Sequence, residues 1–539
     1  MKLIFSLIAA AAIVLCANGS AFANVWNLDA GGSWATGANW NPASVPNAIG
    51  ATAEFDSSSA ANRSVTVDSG STGFTVGIIT FNNAASQSQT TTISTGTSGS
   101  KLFLNNGGAG ASINTNGTGT GKLTFNAAPL VFNENVVANV NQTTATSSTG
   151  SLEIISGISG TGGLTKEGVG RMTFSSNAKT YTGPTVLNDG SMRMSVAGSP
   201  TMTSSFTINN NATLEFFSST TGGTYTLGSG PLTLNGQGFA PSGTPQGLIR
   251  NGDTSASGKG YSITNNLTLA SDSLVHVEGV DIADSIHRLT FVGVISGPGA
   301  LIQTALDGDE KLGQVRLGSA NTYSGGTVVR GGSMQILETG FGGSANANFG
   351  TGNVTVMNPA NVLTNSAGIA NAISRLVIPS TATNAIADTA TLSIEGGAST
   401  GFGPRAAVNL AAGIDEVVGS LVLGGVTQTA IGTYGSTTSP ADFKSDQFFT
   451  GNGVIRLLTA GIPGDYNHDG RVDAADYVVW RKTDINGPQG YNDWRSHYGQ
   501  TSGSGSGLGA NVSVPEPATL VTLLMGVLAL CSHRRAKVS

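Results

Sequence analysis

The sequence predicts an all-β body of solenoid type, followed by a small helical module. Three observations predict it. Short runs of Val, Ile, Leu, Phe and Thr, cut by Gly, Asn and Ser, fill residues 24–460, as in FTINNNATLEFF (206–217) and YSITNNLTLA (261–270). Period-two alternation stopped by turn formers is the pattern of half-buried strands. Residues 178–192, AKTYTGPTVLNDGSM, align without gaps to 320–334, ANTYSGGTVVRGGSM, with nine of fifteen identical. Finally, a loop of regularly spaced Asp residues, DYNHDGRVDAAD, stands at 465–476.

Composition narrows the function. Gly accounts for 77 of 539 residues and charged residues for only 10%, against roughly 25% in an average protein. With 39% apolar residues the chain still has a core to bury, unlike a disordered polymer. The net charge is -6, and no stretch concentrates Lys or Arg, so no nucleic-acid partner is expected. Both cysteines, Cys16 and Cys531, lie at the ends. The body therefore has no disulfide framework, thiol catalysis or Cys-ligated metal.

In chain order, residues 1–23 read as a signal peptide: Lys2, an apolar run, then Ala21, Phe22 and Ala23 as a small-x-small site, with cleavage between Ala23 and Asn24. Residues 24–60 carry Trp26, Trp34 and Trp40 and read as an end cap, with a glycan-stacking platform as the alternative. Residues 61–460 are too long for one sandwich, and the repeat favours a solenoid. Upstream of each copy lies ISGxGxL (158–164 and 295–301), and five extra residues separate it from the Tyr of the second copy. Stacked coils need positive-φ corners, allow Asn ladders, and disfavour stacked like charges, which accounts for the Gly, the Asn and the low charge.

The phrase at 158–192 resembles the autotransporter-associated β-strand repeat, with Tyr181, Gly183, Thr185 and Gly190, then Tyr323, Gly325, Thr327 and Gly332, at the positions of its Tyr-Thr/Ser-Gly-x-Thr ending. Met192 and Met334 stand where the family commonly has Leu, an exchange a core tolerates. The resemblance implies a right-handed parallel β-helix. A translocating β-barrel needs more chain than follows Leu458, so the body is not expected to be an autotransporter passenger.

Residues 461–500 hold the Asp-rich loop. Asp465, Asn467, Asp469, the Arg471 carbonyl, Asp473 and Asp476 fall at positions 1, 3, 5, 7, 9 and 12, with Gly470 at the sharp turn and Val472 packing inward. That spacing surrounds one hard cation with oxygen, so the expected cofactor is Ca2+. With a helix expected at 474–482, the loop resembles a type I dockerin repeat, which implies those residues as ligands. Tyr491 and Trp494 repeat Tyr477 and Trp480, but no second DxNxDG precedes them, which argues against cohesin as a partner.

A linker at 501–513 leads to 514–539. Val514, Pro515, Glu516 and Pro517, an apolar run at 518–531, then Arg534 and Arg535 resemble a PEP-CTERM sorting signal. The resemblance implies an exosortase-type protease as partner, a transmembrane helix as transient or permanent anchor, and delivery to the envelope surface or extracellular matrix. The whole combination resembles large secreted proteins of planctomycete-type bacteria. The densest charged stretch, 271–289, holds Asp272, His276, Glu278, Asp281, Asp284, His287 and Arg288, but completes no catalytic motif. The sequence thus points to a non-enzymatic structural or adhesive protein. A polysaccharide or envelope protein is the expected partner, and the alternatives are a glycan-binding surface protein and a β-helical polysaccharide lyase or hydrolase.

Overall fold

The computed structural model describes residues 23–501 apart from 57–60, 69, 71, 86, 97–98, 143–150, 176–178, 196–204, 218–221, 253–258, 278–286, 305–312, 360–372, 401–402, 459–461, 468–469 and 484–486. Up to Leu457 it is almost entirely strand, in repeated parallel ladders of solenoid-like arrangement. The chain visits three ladders in a fixed order. In the N-terminal half the first ladder stacks Thr52–Phe55, Ile78–Asn83, Ala111–Gly117, Val136–Val140 and Leu164–Glu167. The second stacks Arg63–Val67, Thr91–Thr95, Leu123–Asn126, Leu152–Ile154 and Arg171–Phe174. The third stacks Phe74–Val76, Leu102–Leu104, Leu130–Phe132 and Ile158–Gly160. Later passes rebuild the third ladder from Gly223–Tyr225 through Gly260–Ile263, Arg288–Phe291, Gln314–Leu317, Gly332–Ile336, Ser374–Ile378 and Ala406–Leu410.

Alternation produces the core. Val136–Val140, and Ala111–Gly117 up to Asn116, show strict buried and half-buried alternation, and Leu, Ile, Val and Phe of successive passes stack into one continuous cluster. Each fully buried aliphatic side chain contributes about 1.5–3 kcal/mol. Outward positions stack as well. Asn139 Nδ2 donates to Asn114 Oδ1 at 2.8 Å, and Asn141 Nδ2 to Asn116 Oδ1 at 3.2 Å. Farther along, Asn209 Nδ2 donates to Asn188 Oδ1 at 2.7 Å and Asn188 Nδ2 to Glu167 Oε1 at 2.5 Å. The three Asn–Asn bonds are the coil-to-coil amide pairs anticipated from the Asn content.

The repeat copies lie on different ladders. In the first, Ile158–Gly160, Leu164–Glu167 and Arg171–Phe174 occupy the third, first and second. In the second copy, Ile295–Ser296 pairs on the first ladder, Leu301–Thr304 on the second and Gln314–Leu317 on the third. The same phrase is therefore turned by one face between its two occurrences. The insertion of the second copy falls between Leu301–Thr304 and Gln314–Leu317, where residues 305–312 lie outside the described residues.

Both ends carry antiparallel pairing. Asn24–Trp26 pairs antiparallel with Trp40–Asn41 and parallel with Thr52–Phe55, so the Trp-rich segment already belongs to the ladders. At the far end Gly432–Gly435 runs antiparallel to Val454–Leu457. Reversed strands cover edges that would otherwise accept a further parallel strand. Two short helices follow, α1 (Ala474–Thr483) and α2 (Gly487–His497).

The expectation of a transmembrane anchor is corrected. Among the described residues no helix is long and apolar enough to cross a membrane. Helices α1 and α2, of 10 and 11 residues, reach about 15–17 Å, against a hydrocarbon core of about 30 Å. The 518–531 run, Val514 to Pro517, Arg534 and Arg535 lie outside the described residues, as does the signal peptide up to residue 22.

Candidate functional site

The Asp-rich loop is held by its own backbone. Asp465 Oδ2 accepts the Gly470 amide at 2.9 Å, and Gly470 takes φ +82°, a left-handed turn suited to glycine. At the other end of the loop, Asp476 is fully buried, and its two oxygens accept the amides of Asn467 at 2.9 Å and Asp473 at 2.8 Å. Asp476 also opens α1, where a carboxylate meets the positive end of the helix. The first and last ligand positions therefore both turn into the loop.

A small core backs this loop. Val472, fully buried, joins Ile462 and Trp494, with Tyr466, Tyr477, Tyr491 and Tyr498 packed against them. The Trp494 indole donates to the Asp473 carbonyl at 2.7 Å and the Tyr466 hydroxyl to the Gly490 carbonyl at 2.6 Å. Burial, reinforced by Asp493 and Asp476, pushes the Tyr466 phenol up to about 12. Tyr477 and Trp494 rings lie 4.9 Å apart, and Trp480 and Tyr491 5.3 Å apart. The two Tyr and Trp pairs recognised in the sequence thus interlock across α1 and α2.

The donors offered along the loop are all oxygens, which fits a hard cation and not a thiolate or imidazole metal. Among the described residues no group of three or more His, Cys, Asp and Glu is gathered closely enough to hold a metal. Asp469 and His468 lie outside the described residues. Asp465, Asn467, Arg471, Asp473 and Asp476 are thus placed on one curled loop without a closed ligand shell being shown.

The three tryptophans are not a stacking platform. Trp26, Trp34 and Trp40 are 3%, 0% and 1% exposed. Trp40 stands edge-on to both Trp26 and Trp34, at 5.0 and 4.8 Å, while Phe55 and Phe74 close the cluster. Their indole N–H groups are bound to the carbonyls of Ala30, Pro46 and Trp34. No ring face is left to meet a sugar, so the reading of these three residues as glycan contacts is overturned.

In the charged stretch the two histidines are internal, while Asp272 is exposed and Arg288 half-buried. His276 and His287 are fully buried, and His276 Nδ1 donates to the Thr304 carbonyl at 2.8 Å. Glu278, Asp281 and Asp284 lie outside the described residues. A polar network absent from the sequence reading sits beside the first repeat. Arg193 grips Glu215 with two 3.0 Å bonds, and Arg171 adds a 3.5 Å contact. Burial works to raise the Glu215 carboxyl, but Arg171, Arg193 and Arg250 outweigh it and hold it below the usual range. The structure accounts for the Tyr, Gly, Thr and second Gly positions of the repeat. Tyr181 and Tyr323 are fully buried, and each hydroxyl lies 2.5 Å from the Thr four residues on. A Cβ on Gly183 would meet the Gly163 amide nitrogen at 2.3 Å, and one on Gly325 the Gly299 carbonyl carbon at 2.3 Å. Gly190 and Gly332 take φ +67° and +72° at the corner that follows.

Comparison with known proteins agrees with this geometry. No curated protein and no solved structure matches the chain. Residues 164–193 and 312–336 match the Passenger-associated-transport-repeat family, the autotransporter-associated β-strand repeat. Over these two segments the chain is similar to that repeat, which fits the repeated parallel strands of the body.

Proposed function

We propose that this chain is an exported structural or adhesive protein, whose body closes into a right-handed parallel β-helix and whose 461–500 segment is a calcium-stiffened terminal module. The observation that carries the reading is the Tyr, Gly and Thr set, locked identically in both repeats within parallel ladders. The right hand rests on the general handedness of parallel crossovers. In the terminal module, Asp465, Asn467, Asp473 and Asp476, with Asp469 and the Arg471 carbonyl, would hold the ion, which would cancel the mutual repulsion of four carboxylates. A sorting protease acting at Val514 to Pro517 is proposed from those four residues alone, and an extracellular polysaccharide or envelope protein as the body's partner.

The test incubates purified residues 24–500 with soluble and insoluble polysaccharides, and measures retention together with new reducing or unsaturated ends. Retention without new ends is the expected result. Turnover of any of them would replace this reading with that of a lyase or hydrolase.

A further inference from the structure

The later passes carry two guanidinium groups whose surroundings differ from those of every ion pair described above. Arg288 and Arg316 lie on successive strands of the third ladder, where Arg288 pairs with Gln314 and Thr290 with Arg316. Their neighbours Leu289, Phe291, Val315 and Leu317 are fully buried in the core. Alternation therefore turns both arginines to the outer face. The two are diagonal neighbours, about 8 Å apart by strand and ladder spacing.

Among the described residues neither forms an ion pair with a carboxylate. Arg288 Nε is buried without a hydrogen-bond partner, and among the described residues its side chain makes no ion pair. Among the described residues Arg316 donates only through Nε, to Gln314 Oε1 at 2.7 Å. Gln314 in turn donates to Gln335 Oε1 at 2.6 Å, which leaves the Gln335 amide nitrogen available. Thr290, 8% exposed, adds a hydroxyl at the same position of the face. Burial and the adjacent Arg288 both pull the Arg316 guanidinium down, with Glu338 opposing. Arg193, with Glu215 gripped at 3.0 Å twice, shows how this protein settles a cation that needs no outside partner. A desolvated guanidinium without one costs free energy.

We infer that Arg288 and Arg316, with Thr290 and Gln335, form an oxyanion site on the outer face of the third ladder, which takes the carboxylate or sulfate of an acidic saccharide. Forked guanidinium donors suit a planar or tetrahedral oxyanion. The hydroxyl and amide beside them suit the neighbouring sugar hydroxyls. A protein of net charge -6 disfavours a densely charged polyphosphate, whereas a single pair of guanidinium groups fits a polymer with widely spaced charges. The oxyanion chemistry rests on these side chains, and the choice of a saccharide rests on the adhesive reading.

Titration calorimetry of residues 24–500 at low salt, with an oligouronate, a sulfated oligosaccharide, a neutral oligosaccharide and inorganic sulfate, tests it. At least one acidic saccharide should bind, the neutral one should not, and Arg288→Gln and Arg316→Gln should each weaken binding tenfold or more. Both variants should melt no lower than the parent, because each removes one of two adjacent like charges. Arg288→Lys should recover part of the affinity if the fold is intact. Equal binding by parent and Arg288→Gln, or no binding of any anion, would overturn the site. Binding of inorganic sulfate alone, weakened in the same variants, would overturn the saccharide and the adhesive reading while leaving the anion pair standing.

Discussion

Tyr323 and Thr327 share a hydrogen bond whose direction is fixed. The two hydroxyl oxygens lie 2.5 Å apart, and Thr327 already gives its single proton to the Phe349 carbonyl at 2.7 Å. The tyrosine must therefore be the donor, and Thr327 relays the bond to the next pass. Tyr323→Phe removes one buried bond and should cost about 1–2 kcal/mol. Thr327→Val strands both the phenol and the Phe349 carbonyl and should cost more, about 2–4 kcal/mol. Urea unfolding of the two variants checks the order, and a larger loss for Tyr323→Phe would reverse the assigned direction.

The glycine between them is a matter of space. Ala at 183 or 325 would drive its Cβ into the backbone of the preceding pass, and each should destabilise the body by about 1–3 kcal/mol. Gly340, with nothing within 4 Å of its notional Cβ, is the control, and its Ala variant should stay within about 0.5 kcal/mol. Matching losses at all three positions would remove close approach as the reason for the motif glycine.

Two buried lysines make stability depend on pH. Lys166 donates to the carbonyls of Glu167, Gly168 and Asp189, at 3.0, 2.5 and 2.9 Å, and Lys179 to that of Ser156 at 2.7 Å. Burial lowers both to about 7. Between about 7 and the unfolded value of 10.5 the unfolded chain binds more protons, so stability should rise with pH, by up to about 1.4 kcal/mol per unit for each lysine. Burial raises Tyr181 and Tyr323 well above 10, so the trend should reverse once unfolded tyrosines ionise. Denaturant midpoints from pH 6 to 11 should peak near 10, and Lys166→Met should flatten the rising limb. A limb of unchanged slope in that variant would mean Lys166 stays charged in the fold.

Calcium should act on the terminal module alone. Trp494 reports it, because its indole donates to the carbonyl of the Asp473 ligand position. Added Ca2+ should shift Trp fluorescence and raise the melting of 461–500, and Asp465→Ala should abolish both while the body melts unchanged. A calcium effect that survives Asp465→Ala would place the ion elsewhere.

Strand alternation and the Tyr and Trp pairs of the helices were legible because each depends on residues near one another in sequence, the repeat because its phrase recurs, and the Asn stacking from composition alone, its partners lying 21–25 residues apart. The partners of the Trp cluster, which the end-cap reading left unnamed, were not, since Phe55 and Phe74, which cover the indoles, arrive on later strands. Spacing records that three indoles are close, and not which side of the wall they face. The Arg288 and Arg316 pair was hidden for the same reason, because only the ladder register makes them diagonal neighbours. Gly183 and Gly325 could be seen as fixed points of a phrase, but the backbone they admit belongs to the preceding pass.

The displacement of the second repeat by one face bears on how such a chain lengthens. Because the phrase pairs equally well over the third, first and second ladders or the first, second and third, its local geometry is indifferent to the ladder on which it begins. The modular unit is then a strand with its corner, and one pass is simply three of them. Duplications and losses of a single strand and corner would leave every downstream residue facing inward or outward as before, merely moved to the next ladder. A surface feature such as an outward arginine pair can in this way be carried to another side of the molecule without any change in the core that supports it.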